Sequence, residues 1–229
     1  MTKRLPLGIN DFKKIQEENY YYLDKSLLIQ EVIEEDAEVI LLPRPRRFGK
    51  SLNLSMLGYF FEDHKQIDDN SHLFTDLKIE SAAEKYWQQQ GAYPVIKLDF
   101  KGTKSLAWSR CLEKIKRTIA EEYERHSYLL TSEVLADYEK KEYQQIMAAE
   151  AKQSTYEFSL ENLIKYLARF YGQRVIVLID EYDEPIQSSY LNDYYEQMID
   201  FIRSLFIRGL KGNPNLEKGI LTGVLRIAK

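Results

Sequence analysis

Residues 39–51 read Val-Ile-Leu-Leu-Pro-Arg-Pro-Arg-Arg-Phe-Gly-Lys-Ser, an apolar run that breaks into a phosphate-binding signature. Gly49-Lys50-Ser51 is the back half of the pattern G-x-x-x-x-G-K-[ST]. The pattern wants glycine five residues before Gly49, and that position is Arg44. The signature is complete at its phosphate end and degenerate at its entry. Far downstream, Val175-Ile-Val-Leu-Ile-Asp-Glu-Tyr-Asp183 is a second apolar run, ending in the acidic pair Asp180-Glu181. An acidic residue at the carboxyl end of a buried parallel strand lies at the ligand crevice of an open α/β sheet. In this order, each after its own buried strand, the two segments constrain the chain to a P-loop NTPase, with a Walker A and a Walker B segment.

The chemistry follows from residue type. A tight turn points several backbone N–H groups at one place, and the next helix aims its N-terminus there. The reading therefore puts phosphate on the backbone of Arg47, Phe48, Gly49, Lys50, Ser51 and Leu52, with Arg46 and Arg47 adding positive charge beside it. Gly49 lets the backbone approach phosphate. Lys50 reaches the β- and γ-phosphates, and Ser51 offers its hydroxyl to Mg²⁺. Asp180 supports Mg²⁺ through water, and Glu181 orients or deprotonates the attacking water. Thr222, at the end of a later strand, is placed to sense the γ-phosphate. Arg226 follows it near the phosphates and completes a catalytic set of Lys50, Glu181 and Arg226.

Each of these residues also has a plainer reading. Gly-Lys-Ser can be a chance strand-turn-helix junction. Asp180 and Glu181 can cap a helix, and Thr222 can be an ordinary β-former. Arg46 and Arg47 can pair with neighbouring acids, since the guanidinium fork suits carboxylates as well as phosphates. Arg44, flanked by Pro43 and Pro45, stiffens the loop entry, because arginine resists positive φ. Asp183 and Glu184 read as loop or capping acids ahead of Pro185, a favoured first residue of a helix.

Four short apolar runs begin near Val39, Val95, Val175 and Ile220, separated by helical periodicity. This predicts an α/β fold: a three-layer α/β/α sandwich of the additional-strand P-loop class, around a parallel central sheet. The fourth strand is placed next to the first and third, or the first and third lie one strand apart. Residues 1–37 form an N-terminal extension with a helix over 26–35 capped by Ser26, and residues 38–229 the P-loop domain. Further helices are predicted over 50–61, 80–90, 106–124, 132–153, 159–171 and 190–210. The stretch from about 106 to 158 exceeds what one crossover helix needs and reads as a helical insertion, with 132–153 a solvated excursion. The chain reaches Lys229 five residues after strand four, so the sheet reads as C-terminally incomplete, with an edge beside strand one that invites self-association.

Composition narrows the rest. At 229 residues and 44% hydrophobic, the chain can bury a sizeable core. Lys plus Arg (32) nearly balance Asp plus Glu (36), and the net charge of −4 gives no global attraction to nucleic acid. The single cysteine, Cys111, rules out an internal disulfide and reads as a small buried hydrophobe in a reducing, cytoplasmic setting. No run approaches the length of a membrane span. His64, His72 and His126 are scattered and lack ligand spacing.

Tyr22-Leu-Asp-Lys-Ser26, Leu42-Pro-Arg-Pro-Arg-Arg-Phe-Gly-Lys-Ser-Leu-Asn-Leu-Ser-Met-Leu57, Leu178-Ile-Asp-Glu-Tyr-Asp-Glu-Pro185 and Thr222-Gly-Val-Leu-Arg-Ile-Ala-Lys229 together resemble the AAA-ATPase-like family of bacteria and archaea. The form Arg-Pro-Arg-Arg-Phe-Gly-Lys resembles that family's usual loop. The wider set of related ATPases has Gly-Pro-Arg-Arg-x-Gly-Lys-Thr, so Arg44 stands for its glycine and Ser51 for its threonine. The resemblance implies ATP and Mg²⁺ as ligands and ATP hydrolysis as the activity. The alternative it leaves is a nucleotide-dependent switch with little turnover. It also implies a nuclease-like PD-(D/E)xK region beyond this ATPase region as an effector; the sheet edge beside strand one adds a homo-oligomer as the other expected partner.

Overall fold

The computed structural model describes residues 3–63 and 69–224. In chain order the elements are α1 (Phe12–Glu17), α2 (Leu28–Glu34), β1 (Val39–Pro43), α3 (Lys50–Phe61), α4 (Glu84–Trp87), β2 (Val95–Asp99), α5 (Trp108–Arg125), α6 (Asp137–Met147), α7 (Gln153–Glu157), α8 (Ser159–Tyr171), β3 (Val175–Asp180), α9 (Glu184–Leu191), α10 (Tyr195–Leu210) and β4 (Leu216–Gly223). The strands form one all-parallel sheet in the order β1-β4-β3-β2. The fourth strand thus lies between the first and third, as the sequence predicts.

The sheet divides two cores. β3 is buried at all six positions, which is why it reads as an unbroken apolar run. Val175, Val177 and Ile179 face a core built from α5, α6, α8 and α10, whereas Ile176 and Leu178 face one built from α1, α2, α3 and α4. This alternation at period two produces the α/β/α sandwich. Helix α3 is apolar nearly all round, with Leu54, Met56, Leu57, Phe60 and Phe61 buried, because it is enclosed by sheet and helices. Cys111 is fully buried among apolar neighbours.

At the end of α3, Glu62 accepts hydrogen bonds from Lys97 and Arg125. Arg125 also binds Glu122 (2.6 Å) and the carbonyl of Val95, and Glu122 accepts from the backbone N–H of Lys97 (2.7 Å). These groups tie α3, β2 and α5 together at the pole of the sheet opposite the loop 44–49. Burial pushes the Glu122 carboxyl up, but the Arg125 guanidinium beside it wins and holds it at about 2.

Several elements differ from the sequence reading. Helix α1 is new: the Asp11 carboxylate caps it by accepting from Lys14 N at 2.7 Å, and Phe12 and Ile15 anchor it. Ser26 does not cap α2. Its hydroxyl oxygen accepts from Ile79 N at 3.0 Å, and the helix begins after Leu27. The predicted helix over 80–90 is a 3₁₀ turn, Lys78–Ser81, followed by the single-turn α4, with extended Ala82 and Ala83 between them. The predicted helix over 190–210 is broken at Asn192–Tyr194, where Asp193 takes a left-handed φ of +58°, and α9 precedes the break. Strand β4 starts earlier than its apolar run because Glu217 and Lys218 have partners: Arg174 at 2.6 Å and the Ala37 carbonyl at 3.1 Å. The helix read as solvated, α6, buries Tyr143 and Ile146, and the Tyr143 hydroxyl donates to the Tyr123 carbonyl at 2.7 Å. Among the described residues no helix is long and apolar enough to cross a membrane.

Candidate nucleotide site

The carboxyl ends of β1, β3 and β4 meet at one pole of the sheet, and the loop from Arg44 to Gly49 closes over them. Arg44 N donates to the Gly223 carbonyl at 3.1 Å, so the residue in the degenerate position extends the β1–β4 ladder by one bond. Arg44 is not where the loop needs left-handed backbone. That demand falls on Arg47 (φ +68°) and Gly49 (φ +76°), on either side of Phe48. An arginine at Arg44 is therefore compatible with the loop, and the unusual residue is Arg47. Arg46 and Arg47 are both exposed, and among the described residues neither forms the ion pair the sequence leaves open to it.

Gly49 is the N-cap of α3, and among the described residues no side chain caps the N–H groups of the first turn. A twelve-residue helix with an uncapped N-terminus behind a two-fold left-handed loop presents convergent donors to an anion. Lys50, the first residue of the helix, is 7% exposed. Its ammonium donates to the Arg44 carbonyl at 3.1 Å and the Pro45 carbonyl at 3.5 Å, and stands 3.5 Å from Glu181 Oε1. A lysine so buried is held on its loop rather than free in solvent.

Asp180 is 6% exposed and ends β3. Its Oδ1 accepts from Glu181 N at 3.0 Å and from the Thr222 hydroxyl on β4. The Thr222 side chain is thus a positioning group for Asp180, a role that its register one strand away permits. Glu181 follows in a left-handed conformation, φ +50°, unusual for a residue other than glycine. Burial raises its carboxyl; Lys50 opposes that, and Asp180 and Asp183 add to it. Asp183 is fully buried: its Oδ2 accepts from Val224 N at 3.0 Å and from Gln187 Nε2 at 2.5 Å. Asp183 and Glu184 start α9, with Pro185 in its first turn, as the sequence predicts.

Two clefts flank the head of α3. One, of about 280 Å³, is lined by Ser51, Asp180, Asp99 and Tyr59 among others. The second, of about 370 Å³, opens on the other side beside Phe48, Lys50 and Thr222. Asp99 was missed by sequence reasoning. It pairs in register with Asp180 at the carboxyl end of β2, and the signal used for Asp180, an acid closing an apolar strand, was present there too. Ser51 and Asp180 share the smaller cleft, and a hydroxyl with a carboxylate is the hard-oxygen donor set that suits Mg²⁺. Among the described residues no three His, Cys, Asp or Glu side chains converge to hold a metal. A dication here would rest on Ser51, Asp180, phosphate oxygens and water. Arg226 lies outside the described residues.

A protein of Azotobacter chroococcum mcd 1, described as an uncharacterized protein in the vnfD 5' region, is 29% identical over 229 residues; these cover 99% of this chain and 38% of that protein. The chain thus spans well under half the length of that relative. No solved structure matches it. The family model described as Predicted AAA-ATPase matches residues 6–229, taking in the loop 44–49, the acidic strand end and the strand that carries Thr222; the chain belongs to that family.

Proposed function

We propose that the chain binds ATP with Mg²⁺ at the head of α3 and hydrolyses it. The observation that carries this reading is the meeting of Lys50, Ser51, Asp180 and Glu181 at one sheet pole, next to an uncapped helix N-terminus. Loop backbone and Lys50 hold phosphate; Ser51 and Asp180 hold Mg²⁺, which when bound offsets phosphate charge. Glu181 accepts the proton of the attacking water, and burial suits it to that task by raising its carboxyl towards the working pH. Thr222 fixes the carboxylate of Asp180 through its hydroxyl.

The Lys50–Glu181 pair favours a second reading alongside the first. Phosphate oxygens compete for the Lys50 ammonium, so ligand binding would release Glu181 from its partner and change the turn after β3. That is the property of a nucleotide-dependent switch, with turnover secondary and an effector elsewhere in a longer polypeptide as the recipient. Steady-state phosphate release with MgATP separates the two. Turnover lost in Glu181→Gln supports hydrolysis; binding without turnover in the unaltered chain leaves the switch.

A further inference from the structure

The loop that follows β2 is fixed against α9 and the start of α10. Gly102 N donates to Glu184 Oε1 at 2.6 Å, Ser105 N donates to the Ser188 hydroxyl at 3.1 Å, and the Tyr194 hydroxyl donates to the Ser105 carbonyl at 2.7 Å. The residues next to these bonds point outward. Leu106 is 84% exposed, and Tyr190 and Leu191, at the end of α9, are 74% and 78% exposed. Tyr195, at the start of α10, stands edge-on to Tyr190 with 6.0 Å between ring centres. A lone exposed leucine is ordinary, but four large apolar side chains on segments bonded to one another make a patch. None of the four lines either cleft beside α3.

Charge flanks this patch with opposite signs. Lys101 and Arg110 lie on the loop side, in a stretch with no acid between Asp99 and Glu113. Glu196 and Asp200, one turn apart, lie on the α10 side. All four are exposed, and among the described residues none has an ion-pair partner. The helix dipole accounts for Glu196, in the first turn of α10, but not for Asp200 or for the two cations.

We propose that a second copy of this chain covers the patch, the two copies being related by a two-fold axis through it. The axis sets Leu106, Tyr190 and Leu191 of one copy against the same residues of the other. It also carries Lys101 and Arg110 of each copy over to the partner's Glu196 and Asp200, as a self-complementary surface requires. A partner of one charge sign would meet like charge on one flank, whereas a second copy matches both. Helix α9 runs from the turn after Glu181 to this surface, so pairing holds the far end of the helix that leaves the candidate nucleotide site.

Sedimentation of the unaltered chain over a concentration series, beside three variants, tests this. The unaltered chain should reach the mass of a dimer and go no further, because a two-fold contact closes. Lys101→Glu with Arg110→Glu sets acid against acid across the axis, and Glu196→Lys with Asp200→Lys sets base against base. Each pair of changes should weaken the dimer by at least about tenfold. An equal mixture of these two variants should pair again as heterodimers, which a variant that had lost its fold could not do. Leu106→Ser with Leu191→Ser should leave monomers. A chain that stays monomeric up to about 100 μM would overturn the proposal, since a contact that weak is no stable pair. So would a mixture that fails to pair, or assemblies larger than the dimer. A dimer kept in all three variants would put the contact elsewhere and overturn it too, the β1 edge being on the other side of the sheet from β2.

Discussion

The ammonium of Lys50 stands 3.5 Å from the carboxylate of Glu181, so the lysine of the phosphate loop and the acid after β3 neutralise each other across the site. Lys50→Ala should weaken MgATP binding at least about tenfold, since each factor of ten is about 1.4 kcal/mol and a buried charge-assisted contact is worth that much or more. It should also move the Glu181 carboxyl further up, because the charge opposing its burial is gone. Calorimetry reads the first effect. Unchanged affinity would end the assignment of Lys50.

Glu181→Gln should retain MgATP binding and lose turnover by about 10²–10⁴-fold, the usual contribution of a positioned general base. The pH profile supplies a second check. The base must be ionised, and its carboxyl is raised, chiefly by burial. Turnover of the unaltered chain should therefore fall as pH drops through a value above the usual carboxylate range. A group raised on folding stabilises the fold below its unfolded value, and that contribution is lost as pH rises through the folded one. Above its raised folded value the ionised Glu181 is thus a burden on the fold, and there Glu181→Gln should melt at a higher temperature. A lower melting temperature would contradict this.

Thr222→Val keeps shape and removes the hydroxyl that binds Asp180 Oδ1. The carboxylate loses a fixed orientation while the phosphate loop is untouched. Magnesium-dependent turnover should fall, whereas ATP affinity measured with a chelator present should stay the same. Asp180→Asn should share the magnesium defect. If Thr222→Val turns over like the unaltered chain, the hydroxyl is only a strand contact.

Acid should also weaken the opposite pole. Arg125 holds the Glu122 carboxyl at about 2 against its burial, so its stabilising contribution is complete above the usual carboxylate value and is lost as pH falls towards 2. Arg125→Met leaves Glu122 buried without its main partner and Glu62 with Lys97 alone, and should destabilise the fold by about 3–5 kcal/mol. Denaturant melts between pH 2 and 7 read both effects. A melt of Arg125→Met that matches the unaltered chain would show the cluster to be dispensable.

Gly223 ends β4 where space has run out: an added Cβ would lie 2.6 Å from Asp183 Oδ1 and 2.7 Å from the Tyr182 ring. Gly223→Ala should cost about 1–3 kcal/mol by overpacking, measured as a fall in the denaturant midpoint. A neutral result would mean that the turn after β3 yields.

The sheet was legible because β3 and the start of β1 are apolar runs, and their order fixes where ligand residues gather. Lys50, Ser51, Asp180 and Glu181 follow from that signal. The left-handed Arg47 could not be read, since no residue type other than glycine advertises positive φ, and attention went to Arg44 instead. Asp99 was overlooked although it closes its strand as Asp180 does. The larger cleft depends on α2 folding back over the head of α3, a tertiary contact with no local signature. Helix α1 was hidden by its length: one and a half turns around Phe12 and Ile15 leave too little periodicity to separate from loop. Strand β4 was read short because its polar start is satisfied by Arg174 and the Ala37 carbonyl, which lie far away in the chain.

Helix α3 is about 18 Å long at 1.5 Å per residue. Its tail is riveted by Glu62 to Lys97 and Arg125, while its head is held through Lys50, which bonds the Arg44 and Pro45 carbonyls and stands beside Glu181. A phosphate would compete for the contacts at the head and not for those at the tail, so the tail is the fixed end of a beam. The helix cannot slide or swivel with ligand without tearing the rivet, so displacement has to be taken up by the hinge at 44–49 and by the turn after β3. Amide exchange should show nucleotide-dependent protection there and none along the tail of α3; protection spreading to Phe60 and Phe61 would mean that the clamp slips.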